Sequence, residues 1–357
     1  MKLSPLLGFL SCSLLAACSG ATTETSNMAS IKLAISSVIS NEPILPILSP
    51  AELEKPEEER FAIFVSHLQE KAKQQGISQA TIDVAFTDIT LLKRVIASDK
   101  NQLEKKITLD DYLKRVLTHT RILRGREMYQ QNADQLTKTA EKYGVPARYM
   151  VALWGMESSY GRIQGKENII SAMSSLAFEG RRQTFFTNQL MAALQILEEG
   201  HIEMDNLKGS WAGAMGQCQF MPGSFIKYGA DGDGDGKIDI WNNRADVFAS
   251  TANYLATEGW DAKLPWGREV ILPIDFDHSL SGLDEEKAKT VVEWKKLGMT
   301  LPNLTKYEMQ QPIWLVLSDD TEGRAFIVYR NFKTLMHWNR SYYFAISVGM
   351  LADSVAQ

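Results

Sequence analysis

A mainly α-helical fold with a small β-rich subdomain is what this sequence predicts, and three observations carry the prediction. From about Ala51 to Gly259, apolar residues recur at helical spacing between glycine and proline stops. After Trp260 the texture changes to short β-branched and aromatic runs separated by polar, Gly and Pro segments. Beyond Arg330 an apolar helical pattern returns.

The first segments precede the fold. Lys2 is followed by an apolar run from Leu6 to Ala17, too short to span a bilayer and suited to a signal peptide over residues 1–17. The run ends in "LAACSG", which resembles a bacterial lipobox, so that cleavage would leave Cys18 N-terminal and lipidated. Ordinary secretory cleavage nearby, with Cys18 a bystander, is the alternative. Residues 18–50 are Ser/Thr-rich and end in "NEPILPILSP", which reads as a flexible tether, although the apolar stretch Ile31–Ile39 could pack locally.

Residues 51–260 read as helical throughout. "EERFAIFVSHLQEKAKQQG" places Phe61, Phe64, Val65 and Leu68 on one face, with Gly76 as the stop. "ISQATIDVAF" and "NADQLTKTAEKYG" continue the pattern. "VPARYMVALWGME" puts Pro146 in a first turn and is apolar almost all round, the mark of a buried helix. "RQTFFTNQLMAALQILEEG" and "RADVFASTANYLATEGW" are two further amphipathic helices. From 261 to 330, "REVILPIDF", "IWLVLSD" and "RAFIVYR" read as the strands of the β-rich subdomain. Residues 331–357, with "SYYFAISVGMLAD", return to the α-helical body, and no internal repeat is visible.

Composition narrows the function. The 357 residues are 45% hydrophobic and 23% charged, enough for a large core, and the net charge of −5 makes nucleic acid an unexpected partner. Cys12 leaves with the signal and Cys18 would carry lipid, so Cys218 has no disulfide partner and no Cys-based metal site is available. A monomer is expected.

One carboxylate draws notice. Glu157, in "ALWGMESSYGR", sits behind the apolar run and ahead of a Ser-Ser-Tyr-Gly turn. A structural acid, capping a helix or paired with an arginine, is one reading, because buried acids are usually paired. The other is a general acid whose pKa desolvation lifts toward neutrality, as protonation of a glycosidic oxygen requires. Spacing alone leaves both open. "KGSWAGAMGQCQFMPGSF", Lys208 to Phe225, adds glycines that admit close backbone approach, with amides beside flat apolar faces suited to sugar. A well-packed Gly-rich loop is the plainer alternative.

Five ordered segments, "ALWGMESSYGR", "GSWAGAMGQCQFMPGSF", "DGDGDGKIDIWNN", "ANYLATEGW" and "HWNRSYYFAISV", together resemble the membrane-bound lytic murein transglycosylase B family, glycoside hydrolase family 103, over Phe61 to Val348. The resemblance implies a goose-type lysozyme-like α core with a helical domain and a small β domain. It implies an enzyme that cleaves the bond between N-acetylmuramic acid and N-acetylglucosamine in peptidoglycan glycan strands, leaving 1,6-anhydromuramic ends. Glu157 matches the family's single catalytic acid/base. Ser210 and Asn339 match groups that steady the reacting sugar, and Gln219 and Tyr254 match residues beside it. Arg181 and Arg182 resemble an arginine pair that faces a peptide or lactyl carboxylate, and Tyr112 a further aromatic of the site. Many members carry Tyr where this chain has Trp338, which keeps stacking on a sugar but forfeits a phenol hydrogen bond. Glu167 and Glu179 are acids nearby in sequence, yet no second acid falls in a motif of the family's site. Ser19 after Cys18 is compatible with sorting to the periplasmic face of the outer membrane, by resemblance to bacterial lipoproteins; a soluble periplasmic protein is the alternative.

"DGDGDGKIDIWN" fits an EF-hand calcium loop at Asp231, Asp233, Asp235, Gly236 and Asp239, with the Lys237 carbonyl as the seventh-position ligand. The twelfth position should be a bidentate Glu and is Asn242. By resemblance the loop is longer and closes at Asp246, giving structural Ca2+ bound over 231–246. A solvated Asp/Gly turn that binds nothing is the alternative, against which stands the mutual repulsion of aspartates this close. A hydrolytic muramidase, or a catalytically silent peptidoglycan-binding lipoprotein, remain the competing readings of the whole chain. A dockerin-like module would need two copies of the loop, and one is present.

Overall fold

The computed structural model describes residues 48–101, 107–319 and 323–356. The signal segment, Cys18 and most of the tether lie outside the described residues. The chain enters through a short helix, α1 (Pro50–Leu53), closed by a reciprocal capping box between Ser49 and Glu52. In α2 (Glu57–Gln74) Phe61, Phe64, Val65, Leu68 and Ala72 are buried, the face expected from the sequence. Three glutamates lie in its first turn and Lys71 and Lys73 in its last, each sign facing the favourable end of the helix dipole. Gly76, at φ +88°, ends the run. Next come α3 (Gln79–Phe86), α4 (Lys93–Lys100), α5 (Leu109–Val116), α6 (His119–Gln131) and α7 (Ala133–Tyr143).

The helix expected to be buried is α8 (Ala147–Ser158). Tyr149, Met150, Val151, Ala152, Leu153, Trp154 and Gly155 are all buried. Pro146 caps it from outside rather than sitting in its first turn, and no side chain supplies the capping bond. The rest of the α body is α9 (Ile169–Glu179), α10 (Gln183–Glu198), α11 (Pro222–Tyr228), α12 (Arg244–Thr257), α14 (Arg330–Trp338) and α15 (Tyr342–Val355). Helices α6, α7, α12 and α15 pack around α8, which explains why its sequence shows no polar face. A two-residue antiparallel ladder, β1 (Glu167–Asn168) with β2 (Lys208–Gly209), anchors the glycine-rich loop. Single bridges from Gly209 to Met215 and from Met215 to Phe220 then fold that loop back on itself.

Strands β3 (Gly267–Val270), β4 (Trp314–Leu317) and β5 (Ala325–Val328) form an antiparallel sheet in the order β3-β5-β4. Alternation divides its two faces. Phe326, Val328, Trp314 and Val316 join the core of the α body together with Trp266 and Phe332. Ala325, Ile327, Leu315 and Val270 close a second core with Trp294 of α13 (Val291–Lys296), Met299 and Tyr329. The strands are shorter than the apolar runs that announced them. In "REVILPIDF" the ladder stops at Val270, and Ile271 and Ile274 around Pro273 are exposed, because Pro273 has no N–H to give a ladder. Among the described residues no helix is long and apolar enough to cross a membrane.

Candidate active site

Glu157 is the penultimate residue of α8, and the way that helix ends sets its position. Ser159, Tyr160 and Gly161 follow at φ +51°, +60° and +81°, a left-handed run that costs a non-glycine residue of order 1 kcal/mol. Packing of Tyr160 holds the run in place. Its ring lies where side chains at Gly125 and Gly155 would collide with it, stands edge-on to Trp154 at 5.6 Å, and sends its hydroxyl to the Arg121 carbonyl at 2.8 Å. Gln217 braces the same helix from the glycine-rich loop: its buried Oε1 accepts from Trp154 Nε1 at 2.7 Å, and its Nε2 donates to the Trp241 carbonyl. Gly161 is needed there, since a Cβ would come within 2.3 Å of Gln217 Oε1. Sequence inspection singled out Gln219 and passed over Gln217, whose signal was its place in a Gly-Gln-Cys-Gln run.

Among the described residues Glu157 makes no ion pair, and its hydrogen bond comes from Trp338, whose indole Nε1 donates to Oε1 at 2.6 Å. Burial lifts its pKa from the ordinary 4.5 to about 7, and the indole bond pulls the other way. The structural-acid reading required a cap or a cationic partner, and among the described residues Glu157 has neither. The phenol hydrogen bond given up at 338 has a counterpart here: the indole N–H donates directly to the carboxyl group.

Trp338 ends α14 and belongs to a wall of rings. Its ring lies 4.6 Å from Tyr254 of α12 and 5.3 Å from Phe220, and Tyr228 stands 4.3 Å from Tyr254. Burial pushes the Tyr254 phenol well up, so it stays a neutral hydroxyl. Phe220 follows Gln219 directly, which brings that residue to the wall. Gln219 holds φ +49°, with its amide donating to the carbonyls of Gly216 at 2.8 Å and Gln164 at 3.2 Å. The described non-glycine residues with positive φ are thus Ser159, Tyr160 and Gln219, all beside Glu157 or this wall. Ser210 turns the loop, accepting from the Ala214 N–H through Oγ at 3.0 Å. Asn339 is the exposed C-cap of α14, next to Trp338. Tyr112 packs its ring against Tyr343 at 5.6 Å, tilted by 52°, and burial raises its pKa first, with the nearby Glu157 charge adding to the rise.

Other candidates are held elsewhere. Arg181 and Arg182 both pair with the buried carboxylate of Asp99 from α4, and Arg181 also bonds Glu179. Their described contacts do not reach Glu157 or the ring wall. Glu167 pairs with Arg94 at 2.5 Å, and Glu179 with Arg181 and Lys100, so neither is a free second acid. A cavity of about 440 Å3 lies beyond the wall, lined by Glu258, Trp314, Arg330, Lys333 and His337 among others, and it does not contain Glu157.

The acidic loop converges. Oxygens of Asp231, Asp233 and Asp246 lie within 4.8 Å of one another. Asp246, fully buried in the first turn of α12, accepts from the Gly232 and Asp239 N–H groups at 2.7 Å each, stitching both ends of the loop together. Burial raises its pKa, and the charges on Asp233 and Asp231 raise it further. That is the electrostatic state of a carboxylate cluster that fits a divalent cation. Asp235 stands outside the cluster, accepting from the Lys237 N–H at 2.8 Å, and Asn242 turns its amide onto Asp239.

The family model for the transglycosylase SLT domain matches residues 60–353, most of the chain. The chain belongs to that family. The Escherichia coli (strain K12) membrane-bound lytic murein transglycosylase B is 32% identical over 251 residues, 69% of this chain and 66% of that protein, so the match spans just under two-thirds of the relative's length. Among solved structures, SltB3 from Pseudomonas aeruginosa in complex with NAG-NAM-pentapeptide superposes with TM-score 0.80 at 39% identity, covering 83% of this chain and 79% of that one. The Escherichia coli lytic transglycosylase Slt35 in complex with calcium gives TM-score 0.70 at 27% identity, covering 82% and 92%. The lysozyme-like, mainly α fold and the resemblance read from five motifs are both borne out by these relatives.

Proposed function

We propose that the chain is a peptidoglycan lytic transglycosylase in which Glu157 is the single acid and base. The observation that carries this reading is an unpaired carboxyl group at the end of a buried helix, with a pKa of about 7 and an aromatic wall beside it. A group poised near neutrality can give a proton in one step and take one in the next. Protonated Glu157 donates to the oxygen bridging N-acetylmuramic acid and N-acetylglucosamine, and the C1–O4 bond breaks as that oxygen leaves as a hydroxyl. The oxocarbenium-like centre is stabilised by the sugar's own acetamido oxygen, so no carboxylate nucleophile is needed. Carboxylate Glu157 then removes the C6 hydroxyl proton while O6 closes on C1. The acid is regenerated, and water is not consumed. Ser210, Gln219, Asn339, Tyr254 and Tyr112 hold the sugars in this reading, with Trp338 presenting its ring. Arg181 and Arg182 would meet anionic substituents from the far side of Asp99.

The acidic loop takes calcium in the same reading, with Asp231, Asp233 and Asp246 as the carboxylate set and Asp235 and the Lys237 carbonyl as expected contributors. The ion would lock α12, and therefore Tyr254, without entering the chemistry. Calcium bound to the relative Slt35 supports this assignment. Lipidation at Cys18 would tether a monomeric enzyme at the periplasmic face of the outer membrane, in keeping with the membrane-bound relative.

Product masses test the reaction. Digestion of purified sacculi should yield muropeptides lighter by one water than their reducing-end counterparts. Products carrying ordinary reducing ends would make the enzyme a hydrolytic muramidase.

A further inference from the structure

Glu157 and Trp338 are 181 residues apart in sequence and 2.6 Å apart in space. An indole N–H donates and never accepts, unlike the phenol common at this place in the resembling family. The indole has little freedom to turn away, since Tyr254 and Phe220 flank its ring at 4.6 and 5.3 Å. We propose that Trp338 is a positioning residue that gives the two oxygens of Glu157 different duties. Oε1 is anchored to the indole N–H, and Oε2 carries the proton in both halves of the reaction. This rests on the reading of Glu157 as acid and base.

The argument is one of donor and acceptor count. A proton on Oε1 would leave that oxygen a weaker acceptor facing a donor 2.6 Å away, so the neutral acid holds its proton on Oε2. When the proton leaves, charge spreads to Oε1, where the same N–H strengthens into a charge-assisted bond. Trp338 therefore favours the carboxylate and opposes the burial that favours the acid, which keeps the group able to work in both directions. A phenol could turn its lone pair toward a protonated Oε1 and would not enforce the assignment. One consequence follows for the substrate: the bridging oxygen and the C6 hydroxyl must approach the same oxygen of Glu157 in turn, so the leaving sugar must move aside before the ring closes.

Glu157 is the member of this pair that titrates, and several neighbours stay neutral beside it. Tyr112 from α5 and Tyr254 from α12 are pushed up by burial, and Cys218 is pushed up to about 12, so all three stay neutral near pH 7. Arg121 from α6 bonds the Val116 carbonyl, Met156 Sδ and Ser159 Oγ. His337, beside Trp338 on α14, is exposed and bonds Glu258 Oε2 at 2.9 Å.

Two measurements test the proposal. In the Trp338→Phe variant, kcat should fall about tenfold with KM within about twofold, and the limb of the pH profile that reports Glu157 should move up by about one pH unit. A His337→Gln variant should leave that limb in place. In the wild-type protein, free of any substrate, the Trp338 indole proton followed by NMR should move downfield with a midpoint near 7, and this titration should vanish in Glu157→Gln. An indole resonance unchanged from pH 5 to pH 9, or a Trp338→Phe enzyme with an unmoved limb, would overturn the assignment. Because the NMR titration needs no turnover, it can fail while the product masses still report a transglycosylase.

Discussion

Glu157→Gln should lose turnover by about a thousandfold or more while keeping its fold. Acid or base assistance from one positioned side chain contributes roughly 10²–10⁴-fold, and here one group serves both steps. The amide keeps the shape and accepts the same indole bond, so packing is preserved. Stability should even improve at high pH, and the sign can be worked out. Burial raises the folded-state pKa from 4.5 to about 7, so the native protein binds the proton more tightly than the unfolded chain does. The stability linked to that proton is complete below about pH 4.5 and is lost as pH rises through 7. The loss amounts at most to about 3 kcal/mol, at 1.36 kcal/mol per pH unit. Glutamine removes the titration, so the variant should melt above wild type at pH 8, with the gap closing below pH 5. A variant that retains wild-type turnover, or that melts with an unchanged pH dependence, contradicts the role given to this residue. Thermal melts across pH beside sacculus digestion measure both halves.

Calcium should give the second large effect. With the loop empty, Asp231, Asp233 and Asp246 repel one another while Asp246 is fully buried. An ion that binds the folded loop alone adds stability of about 2.7 kcal/mol at a hundred times its dissociation constant, which for a domain of this size is a rise of about 5 °C in Tm. Asp233→Ala, at an exposed position, should abolish the rise without unfolding the protein. Removal of calcium by a chelator should lower Tm first, and activity only as α12 and Tyr254 loosen. An unchanged melt at millimolar calcium would reduce the loop to an acidic turn held by its own backbone bonds.

How much of this was legible in the sequence depended on distance along the chain. The buried face of α2 and the all-apolar α8 are local patterns, and both were readable because burial imprints itself at helical spacing. The placement of Glu157 at the end of α8 was equally local. Contacts between distant segments were not readable. The Trp338–Glu157 bond joins residues whose separation no periodicity encodes, and nothing local in either segment announces it. The ring wall draws on Phe220, Tyr228, Tyr254 and Trp338, of which inspection singled out two. The arginine pair was read as facing a substrate carboxylate, and its bonds to Asp99 could not be seen because Asp99 lies more than 80 residues upstream. Strand lengths were overread where Pro273 ends a hydrophobic run that never joins the ladder. The calcium loop shows the same limit: the Asp/Gly repeat is local, whereas the closing of both loop ends by Asp246 became visible only in space.

The central claim is that a single carboxyl group, kept near neutrality by its surroundings, performs both proton transfers. Infrared difference spectra of wild type against Glu157→Gln, recorded across pH, measure that group directly. A carboxylic acid band that disappears with a midpoint close to 7 is the predicted result. A midpoint near 4.5, with the group already ionised where the enzyme works, would contradict the account.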